Sequence, residues 1–134
     1  MKNKLDIVKS WVLKADNDLR VATNTLETME DPPLDTVCFH TQQCVEKYLK
    51  AYLIFHNIDF PFTHELGDLT ILCSTVDEEF NKLIDKVSIL IPYAVEIRYP
   101  DEDLSVSKEE AVLAVEIAKE VKDFILKKIP SSIF

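Results

Sequence analysis

Cys38-Phe39-His40-Thr41-Gln42-Gln43-Cys44-Val45-Glu46-Lys47-Tyr48-Leu49-Lys50-Ala51-Tyr52 is the stretch on which the reading of this chain turns. It reads as one helix carrying polar groups that a plain bundle helix does not need. Residues three, four and seven apart share a face of an α-helix. On that spacing Val37, Thr41, Cys44, Tyr48, Tyr52 and Phe55 form a core stripe. His40, Gln43, Lys47 and Lys50 form a column on another side. The column gathers an imidazole, an amide and two ammonium groups, a set that can hold an anion by charge-assisted hydrogen bonds. Phe39, Leu53 and Ile54 lie away from the core stripe. A helix apolar on more than one side is either central in its bundle or at a subunit contact. A small bundle offers it only three neighbours, so the contact is the preferred reading. An isologous two-fold homodimer through Phe39, Leu53 and Ile54 is expected.

Four other segments surround this helix. Leu5, Val8, Val12, Ala15, Leu19, Ala22 and Leu26 recur at helical spacing, with Trp11 and Leu13 widening the apolar face, and predict a first helix from Leu5 to about Met29. Asp31-Pro32-Pro33 stops it, because proline lacks an N–H and restricts the residue before it. Asp35 or Thr36 is the expected cap of the second helix, which runs to about Asn57. The apolar loop Ile58 to Thr63 is expected to fold back on the bundle. A short third helix from Thr63 or His64 to about Cys73 follows, then a fourth from about Asp77 to Tyr99, kinked at Pro92. Ser107 with Glu109 and Glu110 opens a last helix to about Ile129, whose face is Ala111, Ala114, Val115, Ala118, Val121, Ile125 and Leu126. Short connections favour antiparallel neighbours. The expected fold is all-α, an up-and-down four-helix bundle with one additional short helix, in one domain over residues 1–134.

Composition narrows the function classes. The chain has 134 residues, 47% of them hydrophobic, and a single glycine, Gly67. Phosphate-cradling loops and dinucleotide turns need several glycines, so both are excluded. The net charge of −9 repels nucleic acid overall, and any such contact must come from a local basic patch. No apolar run reaches the ~20 residues of a membrane span, and the N-terminal residues lack the uninterrupted apolar core of a signal peptide. A cytoplasmic protein is expected. Three cysteines, Cys38, Cys44 and Cys73, form no C-x-x-C pair and read as free buried thiols of a reducing compartment.

Three motifs in order resemble the HEPN domain family. They are Trp11, Ala15, Asp18-Leu19 and Ala22 on the first helix; Phe39 to Ala51 on the second, similar to the family's F-H-x-Q-Q-x-x-E-K-x-L-K-A pattern; and His64-Glu65-Leu66 with Leu69, paired with Arg98-Tyr99-Pro100-Asp101. The resemblance implies a helical bundle, frequent dimerisation and a link to nucleotides or RNA. Small prokaryotic stand-alone members are often encoded beside a minimal nucleotidyltransferase as toxin–antitoxin-like pairs. The domain is also similar to the helical C-terminal part of kanamycin nucleotidyltransferase. Ribonuclease-active members carry an arginine followed, after four to six residues, by a histidine. Here Asp103, Leu104 and Ser105 stand at those distances from Arg98, and Thr25, Leu26 and Glu27 at those from Arg20. The pattern is absent, and a binding role is preferred over a nuclease.

The expected ligand site is His40, Gln43, Lys47 and Lys50 of the second helix, with Arg98, Asp101 and Asp18 approaching from elsewhere. His40 is either a base or ligand contact, since its ordinary pKa of ~6.5 lets it exchange protons near neutrality, or a hydrogen-bonded anchor for the first helix. Lys50 is either a phosphate contact or the partner of Glu46 four residues before it. Arg98 offers a planar fork to phosphate, or an ion pair to Asp18 or Asp101. His40, His56 and His64 lack the spacing that puts two ligands on one helical turn, so no metal and no cofactor are expected. The expected partners are a second copy, a minimal nucleotidyltransferase and a nucleotide or RNA. The alternatives are a metal-independent ribonuclease, with Arg98 steadying phosphate charge and His40 or His64 moving the proton, and a non-catalytic interaction module.

Overall fold

The computed structural model describes residues 3–60, 65–94 and 105–134. His64, Arg98, Tyr99, Pro100 and the acidic run from Asp101 lie outside them. The described residues are all-α: α1 spans Lys4–Thr28, α2 Leu34–Phe55, α3 Leu66–Val76, α4 Ile84–Ser88 and α5 Lys108–Leu126. Short 3-10 turns cover Glu78–Leu83, Ile91–Ala94 and Ser131–Ile133.

Side-chain caps fix several helix starts. Asn3 accepts from the Asp6 N–H at 2.9 Å to open α1, and Ser107 accepts from the Glu110 N–H at 3.1 Å to open α5. The expected cap of α2 is shifted: Pro33 precedes the helix, and Asp35 falls in its first turn, where its negative charge suits the dipole. Asp77 caps the segment after α3, accepting from the Glu79 N–H at 3.0 Å. The expected fourth long helix differs. From Asp77 onward the described chain is a 3-10 turn, the five-residue α4 and a second 3-10 turn holding Pro92. Proline lacks the donor a continuous helix needs and disfavours helical geometry just before it, so the chain breaks rather than bends.

α2 is the centre of the molecule. It packs against α1 on one side, α5 on another, and α3 and the Ile91–Ala94 turn beyond. Thirteen of its 22 residues are buried. Its apolarity on more than one side is therefore satisfied within the chain. Leu53, expected at a subunit contact, is 0% exposed and belongs to the chain's own core, while Phe39 and Ile54 are half-buried. α1 contributes Val8, Val12, Ala15, Leu19 and Ala22 to the core, and the alanines let the two helix backbones approach closely. Leu5 and Leu13, expected on that face, are exposed. Ile58 and Phe60 fold back onto the core. Cys38, Cys44 and Cys73 are free and buried; burial pushes the thiols of Cys38 and Cys73 up to about 12 and that of Cys44 further in the same direction.

Candidate functional site

The polar column of α2 does not stay together along one open face. Its upper part turns to α1. His40 Nδ1 lies 3.1 Å from Asp18 Oδ1, and Lys47 Nζ hydrogen-bonds the other oxygen of the same carboxylate. An ionised carboxylate only accepts, so Nδ1 carries the proton and Nε2 is the free ring nitrogen. Asp18 is 14% exposed, His40 25% and Lys47 21%. The three groups form a half-shielded cluster in which one carboxylate orients an imidazole and anchors an ammonium. Asp18 is largely shielded, and a shielded charge needs a partner; it has two. His40 thus anchors α1, one of the two roles open to it.

The lower part of the column is buried elsewhere. Lys50 is 6% exposed and pairs with Glu46 at 3.2 Å, the i, i+4 arrangement. Its ammonium also lies 5.6 Å from the Trp11 ring centre and 5.7 Å from that of Phe60. Two aromatic faces and a carboxylate replace water around the charge. Lys50 holds the Ile58–Phe60 return against α1 and α2, and stands apart from His40 and Lys47. Gln43 donates to its neighbour Gln42 at 2.8 Å. Arg98 and Asp101 lie outside the described residues.

On the opposite flank of α1 is a cluster that sequence reasoning did not anticipate. The hydroxyl of Tyr48, a fully buried residue of the core stripe, donates to Asp16 Oδ1, and Lys122 of α5 pairs with the same oxygen at 3.2 Å. Burial and the hydrogen bond to Asp16 push the Tyr48 hydroxyl far above its ordinary pKa. The available signal was the phenol itself, since a buried tyrosine hydroxyl needs a partner. At the far end of α2, Lys4 donates to the Phe55 carbonyl at 3.1 Å and neutralises the helix C-terminus. Among the described residues every buried side-chain nitrogen and oxygen has a hydrogen-bond partner. They hold no group of three or more acidic, histidine or cysteine side chains arranged to bind a metal.

A central helix clamped by two neighbours through buried polar pairs, in an all-α bundle, defines a compact helical-bundle protein with a half-exposed imidazole–carboxylate–ammonium cluster. A model of the HEPN domain matches residues 8–129, and this chain belongs to the HEPN family. It is 32% identical over 139 residues to "Putative toxin MJ1304" of Methanocaldococcus jannaschii, covering 90% of this chain and 89% of that protein. Its fold is similar to that of TT1696 from Thermus thermophilus, with a TM-score of 0.71, 23% identity, and 91% of this chain and 98% of the other covered. It is also similar to ST0689, an archaeal HEPN homologue, with a TM-score of 0.72, 19% identity, and 97% and 100% covered. No helix among the described residues is long and apolar enough to cross a membrane.

Proposed function

We propose that this chain is the HEPN member of a toxin–antitoxin-like pair that binds RNA or a nucleotide and acts with a minimal nucleotidyltransferase. The observation that carries the reading is the likeness to the candidate toxin of M. jannaschii along nearly all of both chains. The ligand contacts are His40 and Lys47 at the α1–α2 seam, with Gln43 beside them and Asp18 setting their geometry; Arg98 and Asp101, from the segment after Ile91–Ala94, complete the set. Lys47 supplies the charge, and the outward ring nitrogen of His40 supplies a hydrogen bond. Lys50 is a structural partner of this site and not a contact. Phe39 and Ile54, half-buried on α2, are the residues left to meet a second copy. The test is binding of a labelled single-stranded RNA and of AMP to wild type and to H40A/K47A. A loss of at least tenfold in the double variant is expected, and equal binding by the two proteins removes this site. Sedimentation of the mixture with a minimal nucleotidyltransferase tests the partner, and two separate boundaries count against it.

One observation favours a second reading, a metal-independent ribonuclease. The Asp18–His40 hydrogen bond fixes the tautomer and orientation of an imidazole whose other nitrogen can accept a proton, the arrangement that makes histidine a general base. Incubation of the pure protein with RNA in EDTA decides it: cleavage by wild type, lost in H40A, supports the nuclease, and intact RNA removes it.

A further inference from the structure

The second flank of α1 opens into a groove against α5 of about 430 Å³. Asn17, Arg20, Thr23 and Asn24 line it from α1, and Lys119 and Lys122 from α5. Asp16 is the one carboxylate in the lining, against three cations, on a chain whose net charge is −9. That carboxylate is committed, since a single oxygen takes both the Tyr48 hydroxyl and the Lys122 ammonium. Arg20 donates to the neutral amide oxygen of Asn17 at 2.5 Å, so its charge is uncompensated by that bond. The neighbouring acids of α5 face other ways: Glu120 pairs with Lys86 at 2.6 Å, and Asp123 lines a different groove with Phe124. Apart from the committed Asp16 and the apolar Leu13 and Leu19, the α1 side presents amide, guanidinium and hydroxyl groups.

We propose that this α1–α5 groove is a site for the phosphate backbone of single-stranded RNA, gripped by Arg20 and Lys119, with Lys122 offsetting Asp16 and Asn17, Thr23 and Asn24 donating hydrogen bonds. Asn17 to Asn24 spans about 10 Å along the helix axis, enough to follow an extended strand past one phosphate. Arginine is the side chain best shaped for phosphate, and Arg20 is one of only two in the chain. Leu13, 61% exposed, closes one end with an apolar surface for a ribose or base face. The groove rests on the RNA reading above and adds a contact surface on the side of α1 away from Asp18.

The experiment is fluorescence anisotropy of a labelled single-stranded RNA titrated with R20E/K119E, K82E/K127E and wild type across a salt series. Lys82, in the Glu78–Leu83 turn, and Lys127, at the end of α5, are exposed and lie off α1, and their reversal changes the net charge equally. The groove variant is expected to bind at least tenfold more weakly, with a salt slope flatter by about 1.4, the value for two lost phosphate contacts on a single strand. K82E/K127E is expected to stay within about threefold of wild type with its slope kept. Unaltered binding by R20E/K119E, or equal weakening of both variants, overturns the groove. RNA binding lost in H40A/K47A but kept in R20E/K119E overturns the groove and leaves the RNA reading standing. A wild type that binds no RNA overturns both. Circular dichroism melts verify that each variant is folded, and R20Q/K119Q replaces the reversal if it is not.

Discussion

Asp16 and Asp18 sit two residues apart on α1 and face opposite flanks, and their surroundings assign them different work. Asp18 is the more shielded, at 14% exposure against 37%, and it gathers two basic side chains of α2. Asp16 is the more open, yet one of its partners is the hydroxyl of a fully buried tyrosine, and the other ties in α5. Asp16 joins three helices; Asp18 joins two and presents a histidine to solvent. Exposure of a carboxylate alone does not separate structure from function. What it holds does.

The largest effect expected from disturbing this contrast is at Tyr48. Tyr48→Ala empties a fully buried site and strips Asp16 of its deepest partner, and urea denaturation should show a loss of about 4 kcal/mol. A loss under about 1 kcal/mol would mean that the second flank is not the one that holds the helices together. Next is Lys50→Ala. Removing one member of a buried ion pair and the cation between Trp11 and Phe60 should cost about 3 kcal/mol. RNA binding by the folded fraction should be unchanged, which separates Lys50 from His40 and Lys47 on the same column.

The direct comparison of the two carboxylates gives smaller numbers. Asp16→Asn should destabilise by about 1–2 kcal/mol in a denaturant melt, because it weakens charge-assisted bonds to two helices. Asp18→Asn should destabilise by a similar amount or less and should also change RNA affinity, since it releases His40 and Lys47 together. Similar behaviour of the two variants in both assays would dissolve the distinction between the flanks.

The smallest effect bounds both flanks from outside. His56, at the end of α2, has its pKa held below the ordinary 6.5, first by burial and then by the Lys4 ammonium. The folded state therefore binds its proton less readily than the unfolded chain. Its contribution is full above pH ~6.5 and is lost as pH falls from there toward the lowered folded value. The pH dependence of thermal melts between pH 7 and 5 should flatten slightly in His56→Gln; an unaltered profile removes this role.

Much of the bundle is legible in the order of residues. The recurrence of Val8, Val12, Ala15, Leu19 and Ala22, and of Ala111 to Ile125, is a property of spacing, and helices follow spacing. The fourth segment is less legible, because a proline and a run of short-range 3-10 turns compete with an apolar pattern that periodicity alone reads as helix. The placement of α2 escapes periodicity for a related reason. Apolarity on several sides is the same signal for a central helix and for a subunit contact, and only packing distinguishes them. Leu53, expected at a contact and found in the core, is the residue on which the two readings part. Of the candidate site, the column on α2 is readable from spacing, whereas the separation of Lys50 from His40 and Lys47 is not.

The chain's own order of residues settled that helices form, that Ser107 starts the last of them, which family the chain joins, and that His40, Gln43, Lys47 and Lys50 share a side of one helix. Those are local facts, set by a period of ~3.6 residues and by side chains that bond within a turn or two. Tertiary structure alone decided that Asp18 receives His40 and Lys47, that Lys50 is enclosed between Trp11 and Phe60, and that Tyr48 finds Asp16. Each of those contacts joins residues far apart in the chain, and their pairing depends on how two helix surfaces are rotated against each other, which spacing within either helix does not specify.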